Sequence, residues 1–140
     1  MTFDHWEKML DFNLNGTLYV CKTVLPYMVE QNYGKIVNVS STTAKTAHKK
    51  CFPILWASKA AVNYLTMHLA LEMALHDIYV NAVCPGPVET DMSNQWTDEY
   101  LKEVIKSIPL NKLGTSQDIG ESVLFLDWTQ FSVIMMVEIE

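Results

Sequence analysis

An α/β fold, with about three parallel strands flanked by helices, is predicted by three features of the 140-residue sequence. Two short runs rich in β-branched and apolar residues, Ile36 to Val39 and Ile78 to Cys84, are bounded by turn-forming residues. A longer stretch with helical apolar spacing precedes each run. The hydrophobic content of 49% and aromatic content of 11% are those of a folded globular chain. The order helix, strand, helix, strand, helix, helix, strand implies a parallel sheet joined by right-handed crossovers. The length suits a single unit over residues 1–140, with one core.

Each element has a local reason. Asp4 and Glu7 form a capping-box pattern, so a helix starts near His5. From Asn13 to Glu30, Leu14, Leu18, Cys21, Leu25 and Met28 recur at spacings of four and three, one stripe of a helix. Gly16 and Pro26 interrupt that stripe and are expected to bend or weaken it. Asn32-Tyr33-Gly34 ends it, with Gly34 the expected left-handed cap. Ile36 to Val39 reads as a buried strand, and the polar, aperiodic segment from Thr42 to Pro53 as a loop. A helix from Trp56 to about Leu75 is apolar on most faces, and Lys59 stands near its start. His76-Asp77 breaks it, Ile78 to Cys84 forms the next strand, and Pro85-Gly86-Pro87 stops that strand. Beyond the polar loop Asp91 to Trp96, helices are expected from Thr97 to about Ser107 and from a Ser116 cap to about Leu126. Phe131 to Ile139 supplies a last strand.

Composition excludes several functions. A net charge of −6, spread along the chain, lacks the clustered basic face that nucleic acid requires. The most apolar helix carries Lys59, Asn63, His68 and Glu72, which argues against a membrane span. No basic-then-apolar leader precedes the first helix, so secretion is not expected. Cys21, Cys51 and Cys84 are odd in number and far apart, as free thiols in a reducing compartment are. The four histidines lack metal-ligand spacing with one another or with the cysteines. A cytoplasmic, metal-free protein is the expectation.

Four stretches carry more specific information. They are Asp11-Phe12-Asn13-Leu14-Asn15-Gly16; Gly34-Lys35-Ile36-Val37-Asn38-Val39-Ser40-Ser41; Ala57-Ser58-Lys59-Ala60-Ala61; and Val80 through Pro85-Gly86-Pro87-Val88-Glu89-Thr90-Asp91-Met92. In this order and spacing the chain resembles the short-chain dehydrogenase/reductase family, Rossmann-fold oxidoreductases that use nicotinamide cofactors. The likeness runs to about Leu126 and matches the carboxyl-terminal portion of that fold. It implies a partial, Rossmann-like, doubly wound sheet whose nucleotide-binding half is missing. The implied reaction is hydride transfer between NAD or NADP and an alcohol or carbonyl substrate.

Residue by residue, the resemblance implies that Asn13 holds a water in a proton relay. It implies that Ser41 binds the substrate oxygen, and that Lys59 binds the nicotinamide ribose and lowers a tyrosine's pKa. Pro85, Gly86, Val88 and Thr90 fall in the segment that grips the nicotinamide carboxamide. Two departures stand out. The family's tyrosine belongs four residues before the lysine, one turn along the same helix face, where the ammonium would favour a phenolate. Here that position is Leu55, which has no titratable group. The five glycines, Gly16, Gly34, Gly86, Gly114 and Gly120, do not cluster into the family's turn against the pyrophosphate. Replacement of the missing phenol by His48, Cys51 or Tyr64 is disfavoured, and Tyr64 falls on another side of the helix. Without these groups the chain is expected to be inactive as it stands, an alternative being a non-catalytic, oligomerising or regulatory fragment. The resemblance also implies a homo-oligomer packed through the helices at 13–30 and 56–75. The strand Ile36 to Val39 is expected to have one open edge.

Overall fold

The computed structural model describes residues 2–45, 53–129 and 136–139. Three parallel strands lie in the order β1 (Gly34–Val39), β2 (Ile78–Pro85), β3 (Met136–Ile139). The helices are α1 (Phe3–Leu10), α2 (Gly16–Glu30), α3 (Pro53–Met73), α4 (Asp98–Ser107) and α5 (Ser116–Trp128). Register along the first pair runs from Gly34 opposite Ile78 to Val39 opposite Val83, and along the second from Ala82 opposite Met136 to Pro85 opposite Ile139. The expected final strand is present over its last four residues, while 131–135 lie outside the described residues. No helix among the described residues is long and apolar enough to cross a membrane.

The central strand explains the run of apolar residues in its sequence. In β2, Ile78, Val80, Ala82 and Cys84 alternate with Asn81 and Val83, and all six are buried, so both faces are covered. On one side Ile78 and Val80 pack with Cys21 of α2 and with Leu69 and Ala70 of α3, supported by Leu25, Met28, Val29, Ile36, Leu65 and Met73. Burying each large aliphatic side chain there contributes about 1.5–3 kcal/mol. One buried polar pair crosses the same layer: Asn38 Nδ2 donates to Thr66 Oγ1 at 2.9 Å, and Thr66 Oγ1 donates to the Val62 carbonyl at 2.8 Å. A buried amide so satisfied fixes how β1 sits on α3.

Five local expectations need correction. The first helix is capped by Thr2, whose hydroxyl accepts from His5 N at 3.3 Å; Asp4 instead pairs with Lys8 at 2.9 Å on the surface. The weak point near Gly16 lies just before it, as a π-helical turn over Asp11–Asn15, and α2 then runs through Pro26. The left-handed residue ending α2 is Asn32, with φ of 49°, whereas Gly34 is already the buried start of β1. Gly34 is required for space, since a Cβ there would lie 2.5 Å from Met28 Sδ. α3 begins at Pro53, so Lys59 stands in its second turn. The cap of α5 is Thr115 and not Ser116: Thr115 N donates to Asp118 Oδ2 at 2.7 Å, and Asp118 N returns a bond to Thr115 Oγ1 at 3.2 Å.

Candidate active site

The carboxyl ends of β1 and β2 lie side by side, and the residues singled out from the sequence gather around them. Ser40 N donates to the Val83 carbonyl at 2.8 Å, so the ladder continues one residue past β1. Ser41 then opens a short 3₁₀ turn, Thr42–Ala44. Thr42 Oγ1 donates to the Pro85 carbonyl at 3.4 Å, which ties this turn to the Pro85-Gly86-Pro87 corner. In open parallel sheets, ligands bind at such strand ends.

Ser41 Oγ accepts from Thr43 N at 3.3 Å and from Thr43 Oγ1 at 2.9 Å. Both bonds use its lone pairs, and among the described residues its own proton has no acceptor. The hydroxyl is therefore a polarised donor available to an external oxygen.

Lys59 reaches β1 from α3. Its ammonium donates to the Val39 carbonyl at 2.8 Å, and Ser40 Oγ donates to the Lys59 carbonyl at 3.1 Å, so the residue is tied to the strand at two points. Because Ser40 N points to β2, backbone alternation turns the Val39 carbonyl toward the unpaired edge of β1. The ammonium thus occupies an edge acceptor that a neighbouring strand would otherwise take. Burial of the half-buried side chain lowers the Lys59 pKa from its ordinary value, and the proximity of the Cys84 thiol opposes that shift. Cys84 itself is fully buried, with Sγ 3.6 Å from Asn63 Oδ1.

Asn13 lies in the π-helical turn, a distortion that recurs at functional sites because it redirects backbone and side chain. Its carbonyl accepts from Thr17 Oγ1 at 2.8 Å, and its Nδ2 donates to Ser58 Oγ at 3.1 Å. Ser58, with no exposed surface, donates in turn to the Leu55 carbonyl at 2.8 Å. One hydroxyl therefore joins the π turn to the α3 turn that carries Leu55 and Lys59. Sequence reasoning passed over Ser58. The available signal was a small hydroxyl residue immediately before the lysine, on a helix otherwise lined with apolar and alanine positions.

The segment after Pro85 is held from behind. Gly114 N donates to the Pro87 carbonyl at 3.0 Å, and Glu89 N donates to the Gly114 carbonyl at 2.9 Å, a single parallel bridge centred on Val88. That pattern turns the N–H and carbonyl of Val88 the other way, where the N–H has no partner among the described residues. Thr90 closes a small loop with Ser93: Thr90 N donates to Ser93 Oγ at 2.8 Å, and Ser93 Oγ donates to the Thr90 carbonyl at 2.9 Å.

Thus Asn13, Lys59 and the end of β1 are directly linked through Ser58 and Val39, and Pro85 is linked to the Ser41 turn through Thr42. Val88 and Thr90 extend from that corner. Tyr64 is exposed, while His48 and Cys51 lie outside the described residues. One surface hollow, about 460 Å³ between Val88, Ile108 and α5, meets this region through Pro87 and Val88. Another, about 430 Å³, follows α2 and the open edge of β1.

The residues fit one end of a nicotinamide nucleotide. Val88 offers an outward N–H suited to a carboxamide oxygen, and Lys59 retains ammonium hydrogens for a ribose hydroxyl. For a pyrophosphate, no described glycine has positive φ and none clusters at a helix N-terminus.

A family model described as enoyl-(acyl carrier protein) reductase matches residues 1–139. The 3-oxoacyl-(acyl-carrier-protein) reductase FabG of Chlamydia pneumoniae is 37% identical over 128 residues, covering 90% of this chain and 50% of that protein. A 7alpha-hydroxysteroid dehydrogenase of Paraclostridium sordellii is 33% identical, over 87% of this chain and 46% of its own length. A crystal structure of a 3-oxoacyl-(acyl-carrier-protein) reductase from Brucella melitensis with bound NAD superposes with a TM-score of 0.90 at 33% identity, covering 99% of this chain and 52% of that one. The chain spans about half the length of the relatives it matches.

Proposed function

The chain belongs to the short-chain dehydrogenase/reductase family, and from that premise we propose that it carries the substrate and nicotinamide end of an alcohol/carbonyl oxidoreductase site. The observation behind this reading is that the unspent Ser41 hydroxyl and the Lys59 ammonium both sit at the carboxyl end of β1, next to the end of β2 from which the outward Val88 N–H follows. When bound, NAD or NADP would supply the hydride chemistry. Ser41 holds the oxygen of an alcohol or carbonyl substrate by its free O–H. Lys59 holds the ribose next to the nicotinamide, and Pro85, Gly86, Val88 and Thr90 hold the carboxamide. Asn13 holds a water on the proton path beside α3.

The proton is the missing component. Reduction of a carbonyl leaves an alkoxide that needs a proton from a group within hydrogen-bond reach. Leu55 cannot donate one, and its carbonyl is already engaged by Ser58. The 140-residue chain is therefore catalytically silent in this reading, and NAD or NADP binds weakly because only one end of the nucleotide is held. The test is carbonyl reduction with NADH and NADPH. No turnover above background is expected, either from this chain or from its Leu55→Tyr variant. The same substitution in a chain completed with a nucleotide-binding half should restore turnover. Reduction by the unmodified 140 residues would overturn the proposal.

A second reading, an oligomerising or regulatory role, is favoured by a specific surface. Tyr19, Val20 and Tyr27 on α2 and Tyr64 and Leu71 on α3 are all exposed, more apolar surface than a lone helix pair leaves in water. A homo-oligomer through α2 and α3 would cover it. Light scattering that shows a dimer or larger species with no NADH or NADPH binding would favour this role; nucleotide binding favours the first. The buried free thiols Cys21 and Cys84 support placement in the cytoplasm under either reading.

A further inference from the structure

The absence of a phenol at position 55 changes what Lys59 itself can do. The amine stands at the carboxyl end of β1, and its one side-chain hydrogen bond among the described residues is the 2.8 Å contact with the Val39 carbonyl. Among the described residues no carboxylate pairs with it. One turn earlier on the same face is the aliphatic Leu55. Among the described residues, the titratable neighbour that acts on it is the buried Cys84 thiol on β2. Two residues beyond Val39, Ser41 offers its unspent O–H along an extended backbone, roughly 6–7 Å away in Cα position.

We propose that Lys59 captures small aldehydes as a reversible imine, with the Ser41 hydroxyl holding the carbonyl oxygen. The inference rests on the carbonyl site proposed above but requires no nicotinamide. In the first step the Nζ lone pair forms a bond to the carbonyl carbon, and the C=O π pair moves to oxygen. A proton passes from nitrogen to that oxygen through water, giving a carbinolamine. A proton is then passed to the carbinolamine hydroxyl, the C–O bond breaks as water leaves, the nitrogen lone pair closes the C=N bond, and the N–H proton of the resulting iminium returns to solvent. Amine and aldehyde are converted to imine and water, with no change in overall oxidation state. The chemistry needs a neutral amine. Desolvation, the larger influence on this amine, works in that direction because it disfavours the ammonium, and the buried Cys84 thiol opposes it only in part. An ordinary solvent-exposed lysine amine keeps its proton at neutral pH.

The experiment is reductive trapping. The 140-residue protein is incubated with acetaldehyde and cyanoborohydride at neutral pH, and modified lysines are mapped by peptide mass spectrometry over a time course. Lys59 should label severalfold faster than the exposed Lys8, Lys22, Lys102 and Lys106 of the same molecule, which serve as internal references. Leu55→Glu places a carboxylate one turn from the amine and should erase that preference without slowing the reference lysines. Labelling of Lys59 no faster than the references, or a preference that survives Leu55→Glu, overturns the proposal. A failure here leaves the nucleotide reading untouched, because NADH and NADPH binding are measured separately. Failure to bind nucleotide equally leaves the imine chemistry standing.

Discussion

Substituting Ser58 by alanine tests whether the site is assembled by the hydroxyl that joins the π turn to α3. The side chain has no exposed surface, accepts from Asn13 Nδ2 at 3.1 Å and donates to the Leu55 carbonyl at 2.8 Å. Removing it leaves the half-buried Asn13 amide with only the Met9 thioether, 3.8 Å away. An unmet donor of this kind costs about 1–2 kcal/mol. Alanine returns roughly 0.5 kcal/mol through its better helix propensity. The expected net loss is about 1 kcal/mol, which at a urea slope of about 2 kcal/mol per molar moves the unfolding midpoint down by roughly 0.5 M. Asn13→Ala removes the other partner, and the double variant should lose less than the sum of the two. A coupling of about 1 kcal/mol is expected for a direct contact between neighbours. Urea titrations of the four proteins, followed by far-UV circular dichroism with unchanged slopes, supply the numbers. A neutral Ser58→Ala, or additive losses, would refute the claim that this hydrogen bond docks the π turn on α3.

Three further outcomes follow from other parts of the molecule. Gly34→Ala drives a Cβ to within 2.5 Å of Met28 Sδ and 2.9 Å of Met28 Cβ, so overpacking should cost about 1–3 kcal/mol, and Met28→Ala in the same chain should recover part of it by thermal unfolding. Because Ser40 N points to β2, the N–H groups of Lys35, Val37 and Val39 face the open edge, where Val39 is 53% exposed. Hydrogen exchange should be faster at those three amides than from Val80 to Val83, and equal strong protection in a monomer would show the edge to be covered. Thr115 hydrogen bonds hold the Asp118 carboxyl below its ordinary pKa of 3.8. A depressed acid stabilises the fold above its unfolded value and loses that contribution as pH falls through its lower folded value. Acid titration by NMR should therefore show α5 fraying at its first turn in that window, and Thr115→Val should raise the Asp118 titration toward 3.8.

The sequence by itself determined the elements and their order. The β-branched runs at Ile36 to Val39 and Ile78 to Cys84, the Pro85-Gly86-Pro87 stop and the left-handed Asp77 at the helix break act through neighbours within a few residues, and such signals are written locally. Asn13, Ser41, Lys59 and the Pro85 corner were singled out only by the resemblance of their stretches to the short-chain dehydrogenase/reductase family, and the leucine one turn before Lys59 was visible without a structure. What only the tertiary structure decided are the partners. Asn13 meets Ser58 across 45 residues, Lys59 meets the Val39 carbonyl across 20, and Thr42 meets Pro85 across 43. Gly34 illustrates the reason: its glycine next to a helix end resembled a left-handed cap. The backbone at Asn32 took that role, while the Met28 side chain, packed against β1, excluded any Cβ from position 34. Local pattern fixes backbone conformation, but which groups meet depends on how α2 and α3 pack on the sheet, and that packing is a property of the whole core.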